Sequence, residues 1–138
     1  MTILHIALHY LNEKQADIFF GKVLGFKTEK EFIVPADFSK IIFGIKGKIK
    51  VKFYSDNTNN KILFEVFITD IKPKTVFEHV CLLVNDKKDL IEKCKKYGVK
   101  ILNTRRNNKE YLFIRDFPGY LYEIKEIKKY KQRGKNDV

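Results

Sequence analysis

The sequence has 138 residues, of which 44% are hydrophobic and 14% aromatic, and it carries a formal net charge of +11 at pH 7. This length and apolar content are enough for one domain with a buried core. No apolar run reaches the length of a membrane-spanning helix, and the first residues lack the charged and apolar stretches of a signal peptide. We therefore expect a soluble, cytoplasmic protein with no membrane partner.

The distribution of charge and the two cysteines exclude further classes. Lysine and arginine residues are spread along the chain and concentrated in a basic tail over 128–138, without an RNA-binding aromatic motif or a recognition helix. They predict a lysine-rich surface and no specific nucleic-acid partner. Cys81 and Cys94 are too few for a disulfide framework and wrongly spaced for a thiolate metal site. We expect both to be buried small side chains.

One short pattern occurs twice in the chain. His5 and His79 each stand at the entry of an apolar run that is typical of a strand. Two glycines follow each histidine at matching intervals, 20 and 22 residues in the first half and 19 and 21 in the second, at Gly25, Gly47, Gly98 and Gly119. Because glycines mark helix ends and tight turns, the matching intervals predict two copies of one supersecondary unit.

The first copy is predicted to have the order βαβββ. After a strand over 3–10, Asn12 can cap a helix with Gln15 three residues later, and Gly25 ends that helix. Extended segments are then predicted over 26–34, 38–45 and 48–54.

The second copy repeats this order with shorter loops. A strand over 77–84 precedes a helix that Asp86 caps and Gly98 ends. Two strands over 99–104 and 109–115 then form a hairpin that turns at Asn107-Asn108. An Asp-Phe-Pro-Gly turn over 116–119 leads to a last strand over 120–127.

The β-prone segment over 61–69 has no counterpart in this pattern. It is either a strand that links the two halves or the true last strand of the first half. We expect a single domain over 1–127, in which the modules cover about 3–55 and about 77–127.

Several motifs make the chain similar to the vicinal oxygen chelate superfamily, which includes glyoxalase I, bleomycin-resistance proteins and extradiol dioxygenases. The motifs are His-Ile-Ala-Leu at 5–8, Val-Leu-Gly-Phe at 23–26, His-Val at 79–80, Tyr-Gly-Val at 97–99 and Arg-Asp-Phe-Pro-Gly-Tyr-Leu-Tyr-Glu-Ile at 115–124. The resemblance covers 3–127. It implies an α+β fold in which two βαβββ modules pair into a half-open mixed barrel around a metal.

The resemblance also implies metal ligands on the first and last strands of the modules. Those positions hold His5, His79 and Glu123. Imidazole and carboxylate groups suit a divalent ion such as Ni, Zn, Mn, Co or Fe, which is the cofactor that we expect.

A fourth ligand position has two candidates. Superposing the halves on Gly47 and Gly119 places Val51 opposite Glu123, and valine cannot bind a metal. If the segment over 63–67 is the last strand of the first half, Glu65 takes this position as a ligand and catalytic base. The sequence leaves both alternatives open.

Other residues have both a functional and a structural interpretation. His9 shares a strand face with His5 and could donate to a substrate or lie at a polar rim. Arg115 could hold an anionic group or anchor the following turn through Asp116. Four aromatic residues could line a pocket or belong to the core, namely Phe53, Tyr111, Phe113 and Tyr122.

The resemblance implies a metal-dependent, glyoxalase-type lyase or isomerase. In such an enzyme the ion chelates adjacent oxygens of a small-molecule substrate and stabilises an enediolate. One alternative is a drug-sequestering protein without catalysis, similar to the bleomycin-resistance members. Another is a dioxygenase or thiol transferase that uses two histidines and one glutamate. By the same resemblance we expect a homodimer.

Overall fold

A computed structural model describes residues 4–56, 58, 62–73, 79–106 and 108–128 of the protein. The chain divides into two compact units, Met1–Lys74 and Thr75–Val138, and each is described by itself. The features predicted at 1–3, 77–78 and Asn107, and the tail beyond Lys128, lie outside the described residues. None of the helices in the described ranges is long and apolar enough to cross a membrane.

The first unit has a mixed four-stranded sheet in the order β1-β4-β3-β2. Strands β1 and β4 are parallel, and the other neighbours are antiparallel. Its elements are β1 (His5–Tyr10), α1 (Glu13–Ala16) continuing as a π-helix (Asp17–Val23), β2 (Lys27–Val34), α2 (Ala36–Phe43), β3 (Ile49–Ser55) and β4 (Leu63–Ile68).

The second unit repeats this arrangement with the strand order β5-β8-β7-β6, in which β5 and β8 are the parallel pair. Its elements are β5 (Val80–Val84), α3 (Lys87–Tyr97), β6 (Lys100–Arg106), β7 (Lys109–Arg115) and β8 (Leu121–Glu126). The α+β class and the βαβββ order are thus confirmed, and helix α2 is an addition to the first unit.

The helix boundaries follow the local signals in the sequence. The side chain of Asn12 accepts a hydrogen bond from the backbone N–H of Gln15, and Asp86 caps α3 in the same way. Gly25 and Gly98 follow the two helices with φ angles of 72° and 73°. These left-handed conformations explain why the repeat places glycine there.

The strand predicted over 38–45 is wrong, because this segment forms helix α2. Pro35 precedes the helix, and Gly44, in the left-handed region at φ 67°, ends it. The hydroxyl of the fully buried Ser39 donates to the carbonyl of Pro35 one turn earlier. The outer side of α2 leaves three large apolar side chains exposed, at Phe38, Ile41 and Ile42.

Strand β4 lies between β1 and β3, so the segment that the sequence left open is paired within the sheet of the first unit. Its side chains alternate between the two faces of that sheet. Phe64 packs under the π-helix against Phe20, with the ring centroids 5.2 Å apart. Glu65 faces the opposite side, which also carries His5.

The face of the first sheet that carries His5 is largely apolar. Its buried cluster contains Val34, Ile49, Val51, Phe53 and Phe67, with Phe43 of α2 packed against it. Helix α2 therefore covers part of this face.

The two cysteines differ in burial. Cys94 on α3 is fully buried, as predicted, and burial raises the pKa of its thiol to about 11. Cys81 is exposed, so the prediction for it is wrong. It lies on the edge strand β5, and the described residues between β6 and β7 form no helix that covers that face as α2 does in the first unit.

Candidate functional site

The first unit brings His5 and Glu65 together on one face of its sheet. His5 is paired with Leu63 and Ala7 with Glu65, so the two side chains are diagonal neighbours on parallel strands. His5 Nε2 lies 3.1 Å from Glu65 Oε2.

The second unit contains the same arrangement. Strand β5 pairs with β8 so that Cys81 lies opposite Glu123, and His79 stands two residues before Cys81. His79 Nε2 lies 3.2 Å from Glu123 Oε2. Each unit therefore holds one histidine–glutamate pair at the same place in its sheet.

Each pair also has an aromatic neighbour on the central antiparallel strand. Phe53 is paired with Glu65, and Phe113 with Glu123. Their rings meet the imidazoles of His5 and His79 edge to face, at centroid distances of 6.0 and 5.8 Å. Because the ring limits the space beside each imidazole, it favours the rotamer in which Nε2 faces the glutamate.

Tyr122 does not belong to this neighbourhood. Its side chain is fully buried on the opposite face of β8, and its hydroxyl donates to Asp116 at 3.2 Å. Burial, together with the nearby Asp116 carboxylate, raises the pKa of Tyr122. Tyr122 is therefore a core residue.

The geometry of both pairs fits a first-row divalent metal. Two ligand atoms at about 2.1 Å from one ion lie roughly 3.0–3.4 Å apart when the angle between them is about 90–109°. The observed separations are 3.1 and 3.2 Å. The imidazole side chains are 40% and 39% exposed, so solvent and solutes reach them. The same separations suit an N–H of imidazole donating to a carboxylate.

The histidine–glutamate pair found among the described residues of each unit offers two ligands. Within the described ranges no group of three or more histidine, cysteine, aspartate or glutamate side chains forms a metal site. One pair therefore supplies two of the ligands that a first-row divalent ion takes.

The two glutamates differ in their surroundings. Lys125 Nζ lies 3.9 Å from Glu123, and the exposed thiol of Cys81 lies on the neighbouring strand. Burial raises the pKa of Cys81, and the charge of Glu123 raises it further against the opposing effect of Lys125. In the first unit, Phe67 takes the place of Lys125, two residues after the glutamate, and Ala7 takes the place of Cys81 on the neighbouring parallel strand. His5 is the partner of Glu65 among the described residues.

The superposition that placed Val51 opposite Glu123 is wrong. Val51 is fully buried in the core, and Glu65 occupies the position in β4 that Glu123 occupies in β8. Gly47 precedes β3 whereas Gly119 precedes β8, so the two glycines are not equivalent. Spacing gave no signal for the pairing, because α2 adds residues between His5 and Glu65.

His9 lies on the same face as His5 but contacts different residues. Its Nδ1 is 3.2 Å from Thr69 Oγ1, and its ring packs edge to face on Phe43. Burial lowers the pKa of its imidazole. The surroundings favour the structural interpretation of His9.

Arg115 anchors the turn that follows it, although not through Asp116. Its guanidinium donates to the carbonyl of Gly119 at 2.7 Å. Asp116 instead accepts from the backbone N–H groups of Gly119 and Tyr120. Both side chains thus hold the turn before β8, the strand that carries Glu123.

Comparison with known proteins links this geometry to one fold. No family model and no curated protein matches the sequence. A trypanothione-dependent glyoxalase I from Leishmania major superposes with a TM-score of 0.71, at 20% identity over 96% of this chain and 91% of that one. A glyoxalase family protein from Bacillus cereus gives 0.65, at 17% identity over 91% and 92%.

A third solved structure holds a metal. It is a mutant of the fosfomycin resistance protein FosX from Listeria monocytogenes, complexed with Mn(II) and a dihydroxypropylphosphonic acid. It superposes with a TM-score of 0.67, at 15% identity over 94% of this chain and 97% of that one. The fold that the resemblance implied is thus confirmed.

Proposed function

We propose that this protein is a metal-dependent enzyme of the glyoxalase type, a lyase or isomerase acting on a small substrate that chelates through adjacent oxygens. The observation that carries the proposal is the histidine–glutamate pair repeated in both units, at 3.1 and 3.2 Å. One such pair is an ordinary polar contact. Two such pairs at equivalent positions, in a fold shared with glyoxalase I and FosX, favour a shared role in metal binding.

The proposed ligands are His5, Glu65, His79 and Glu123. Two neutral imidazoles and two carboxylates carry a combined charge of −2, which balances one divalent cation. These four side chains would hold the ion and would leave it accessible to the oxygens of a substrate. When bound, the ion supplies Lewis-acid polarisation of the substrate oxygens.

The residues of the chain would divide the remaining work. Glu65 is proposed to move the proton, because no lysine or arginine lies beside it among the described residues. The carboxylate of Glu123, in contrast, has Lys125 Nζ at 3.9 Å. Phe53 and Phe113 would keep the imidazoles in their rotamers and exclude water from one side of each pair. Proton transfer would thus depend on Glu65, and metal binding would depend on the imidazole orientation that Phe53 and Phe113 maintain.

Metal analysis tests the ligand set. Wild-type protein prepared without chelator should contain close to one divalent first-row metal per complete site, and His5→Ala or His79→Ala should lower the affinity at least tenfold. His9→Ala is the matched control, because this histidine shares the face of His5 but bonds to Thr69. Loss of metal in His9→Ala alone, or no metal in any preparation, contradicts the proposal and favours the drug-sequestering alternative.

An activity assay tests the reaction class. Metal-loaded protein should isomerise a hemithioacetal, and Glu65→Gln should abolish turnover. Glu123→Gln should weaken metal binding more than it lowers the turnover of the fraction that retains metal. Metal-loaded wild-type protein without activity would remove the glyoxalase assignment and leave the metal site for a dioxygenase or thiol transferase.

We also propose, from the same resemblance, that the chain forms a homodimer. The exposed apolar side chains of α2, at Phe38, Ile41 and Ile42, support an interface. Light scattering coupled to gel filtration should give twice the chain mass of 16.4 kDa. A mass of one chain at micromolar concentration would contradict this proposal alone.

A further inference from the structure

The first unit contains a surface cavity, wide open to solvent, that is separate from its histidine–glutamate pair. The cavity has a volume of about 330 Å³ and lies where the parallel strands β1 and β4 end, beside the start of β3. His5 stands at the other end of β1, five residues before Tyr10, which corresponds to roughly 16 Å along a strand. A ligand in this cavity would not touch the proposed metal ligands.

Four aliphatic side chains form the apolar lining of the cavity, namely Leu11, Ile45, Ile49 and Ile68. Ile49 is only 3% exposed and belongs to the core cluster, so the packing of the core fixes its position. Leu11 is 56% exposed although it is large and apolar. An apolar ligand would shield Leu11 and Ile45 from water, which is the main source of affinity in small-molecule sites.

Two lysines border the same cavity. Lys46 and Lys48 flank Gly47, and neither ammonium group forms an ion pair with a described residue. Asp70 contributes one opposing charge, so the rim carries two positive charges and one negative charge. The hydroxyl of Thr69 is engaged by His9 and accepts from the N–H of Ile71. The lysines are thus the polar groups that can recognise a ligand.

We propose that this cavity binds a small amphiphilic monoanion, with an aliphatic body against the isoleucines and a carboxylate or phosphate head at Lys46 and Lys48. The volume is near the lower end of the range for small-molecule sites, about 300–1,000 Å³, which selects a short aliphatic body. The head is anionic because the lysines outnumber the one aspartate. The cavity shares no residue with the proposed metal ligands.

Titration with octanoate, followed by methyl NMR, tests the proposal. The methyl signals of Leu11, Ile45, Ile49 and Ile68 should shift saturably at low millimolar octanoate, while those of Ile101 and Leu112 in the second unit stay unchanged. Protein with and without divalent metal should give the same result, because the cavity lies far from the proposed ligands. Failure of the metal proposal would therefore leave this outcome intact.

Paired variants test the role of charge. Lys46→Gln combined with Lys48→Gln should weaken octanoate binding about tenfold, whereas Lys14→Gln combined with Lys40→Gln, an equal loss of charge on the same unit, should not. Inorganic phosphate and 1-octanol separate the head from the body, and each should bind more weakly than octanoate. No saturable shift at these methyls, equal binding of 1-octanol, or equal loss in the control pair would overturn the proposal.

Discussion

The two units have the same strand order and the same histidine–glutamate pair, but different side chains surround the pairs. In the first unit Val51 and Phe67, on the face that carries the pair, are 0% and 7% exposed. Their counterparts in the second unit are Tyr111 and Lys125, which are only partly buried. The comparison teaches that sheet register places the pair, because the same pair is present beside the apolar Val51 and Phe67 and beside the more polar Tyr111 and Lys125.

The opposite faces of the two sheets differ as well. In the first unit Lys52 lies beneath the helical segment and donates to Asp17 at 2.5 Å, and Tyr54 donates to the same carboxylate at 2.7 Å. The corresponding residues of β7 are Leu112 and Ile114, which are 5% and 0% exposed. At these two positions of the central strand, the first unit therefore has a lysine and a tyrosine and the second unit has two aliphatic side chains.

The largest expected effect is the loss of the aromatic core of the first unit. Phe20 is fully buried and packs against Tyr10, Tyr54 and Phe64. Phe20→Ala should lower the free energy of unfolding by about 3–5 kcal/mol, measured by urea denaturation. Leu4→Ala, at a position of the same unit that is 67% exposed, is the control and should change it by less than about 0.5 kcal/mol. Equal effects would mean that the aromatic packing adds nothing to the first unit.

The buried lysine gives the next largest effect. Burial alone would lower the pKa of Lys52, but its hydrogen bond to Asp17 and the charges of Asp17 and Glu13 outweigh this and raise the pKa. Lys52→Met leaves the Asp17 carboxylate without its cation, whereas Glu13 keeps Lys50, so the free energy of unfolding should fall by about 1–3 kcal/mol in urea denaturation. The second variant Asp17→Asn, added to Lys52→Met, should recover part of the loss. No recovery would contradict a charge-based link between helix and sheet.

His9 sharpens the comparison through pH, because its counterpart in the second unit is Leu83. Burial lowers the pKa of His9 in the folded protein. As the pH falls below about 6.5, the unfolded chain therefore binds a proton that the folded chain resists, and the free energy of unfolding decreases. His9→Leu should flatten this slope between pH 7 and pH 5 in urea denaturation series. Thr69→Val, which removes the partner but keeps the imidazole, should retain the slope.

Repeats and caps made most of the fold predictable from the sequence. His5 and His79 both open first strands, and the glycines that end the two helices have the left-handed φ angles that the repeat implied. Helix α2 was not predictable as a helix, because a short apolar run such as Phe38 to Ile45 has no periodicity that separates a strand from a buried helix. That helix in turn shifted the spacing, so Glu65 could be found only from strand register.

The smallest effects concern two glycines, one inside the π-helix of the first unit and one that follows α3 in the second. Gly98 follows α3 at φ 73°, and a Cβ added there meets no atom within 4 Å, so Gly98→Ala should cost only the backbone strain of about 1 kcal/mol. Gly21 lies inside the π-helix without a positive φ and with equal space, so Gly21→Ala should raise the free energy of unfolding by about 0.5–1 kcal/mol. Urea denaturation at constant pH measures both. If Gly98→Ala lowers the free energy of unfolding and Gly21→Ala raises it, backbone conformation alone decides the outcome, because the space around each added Cβ is open. If both substitutions lower it, the π-helix of the first unit does not tolerate alanine in place of Gly21.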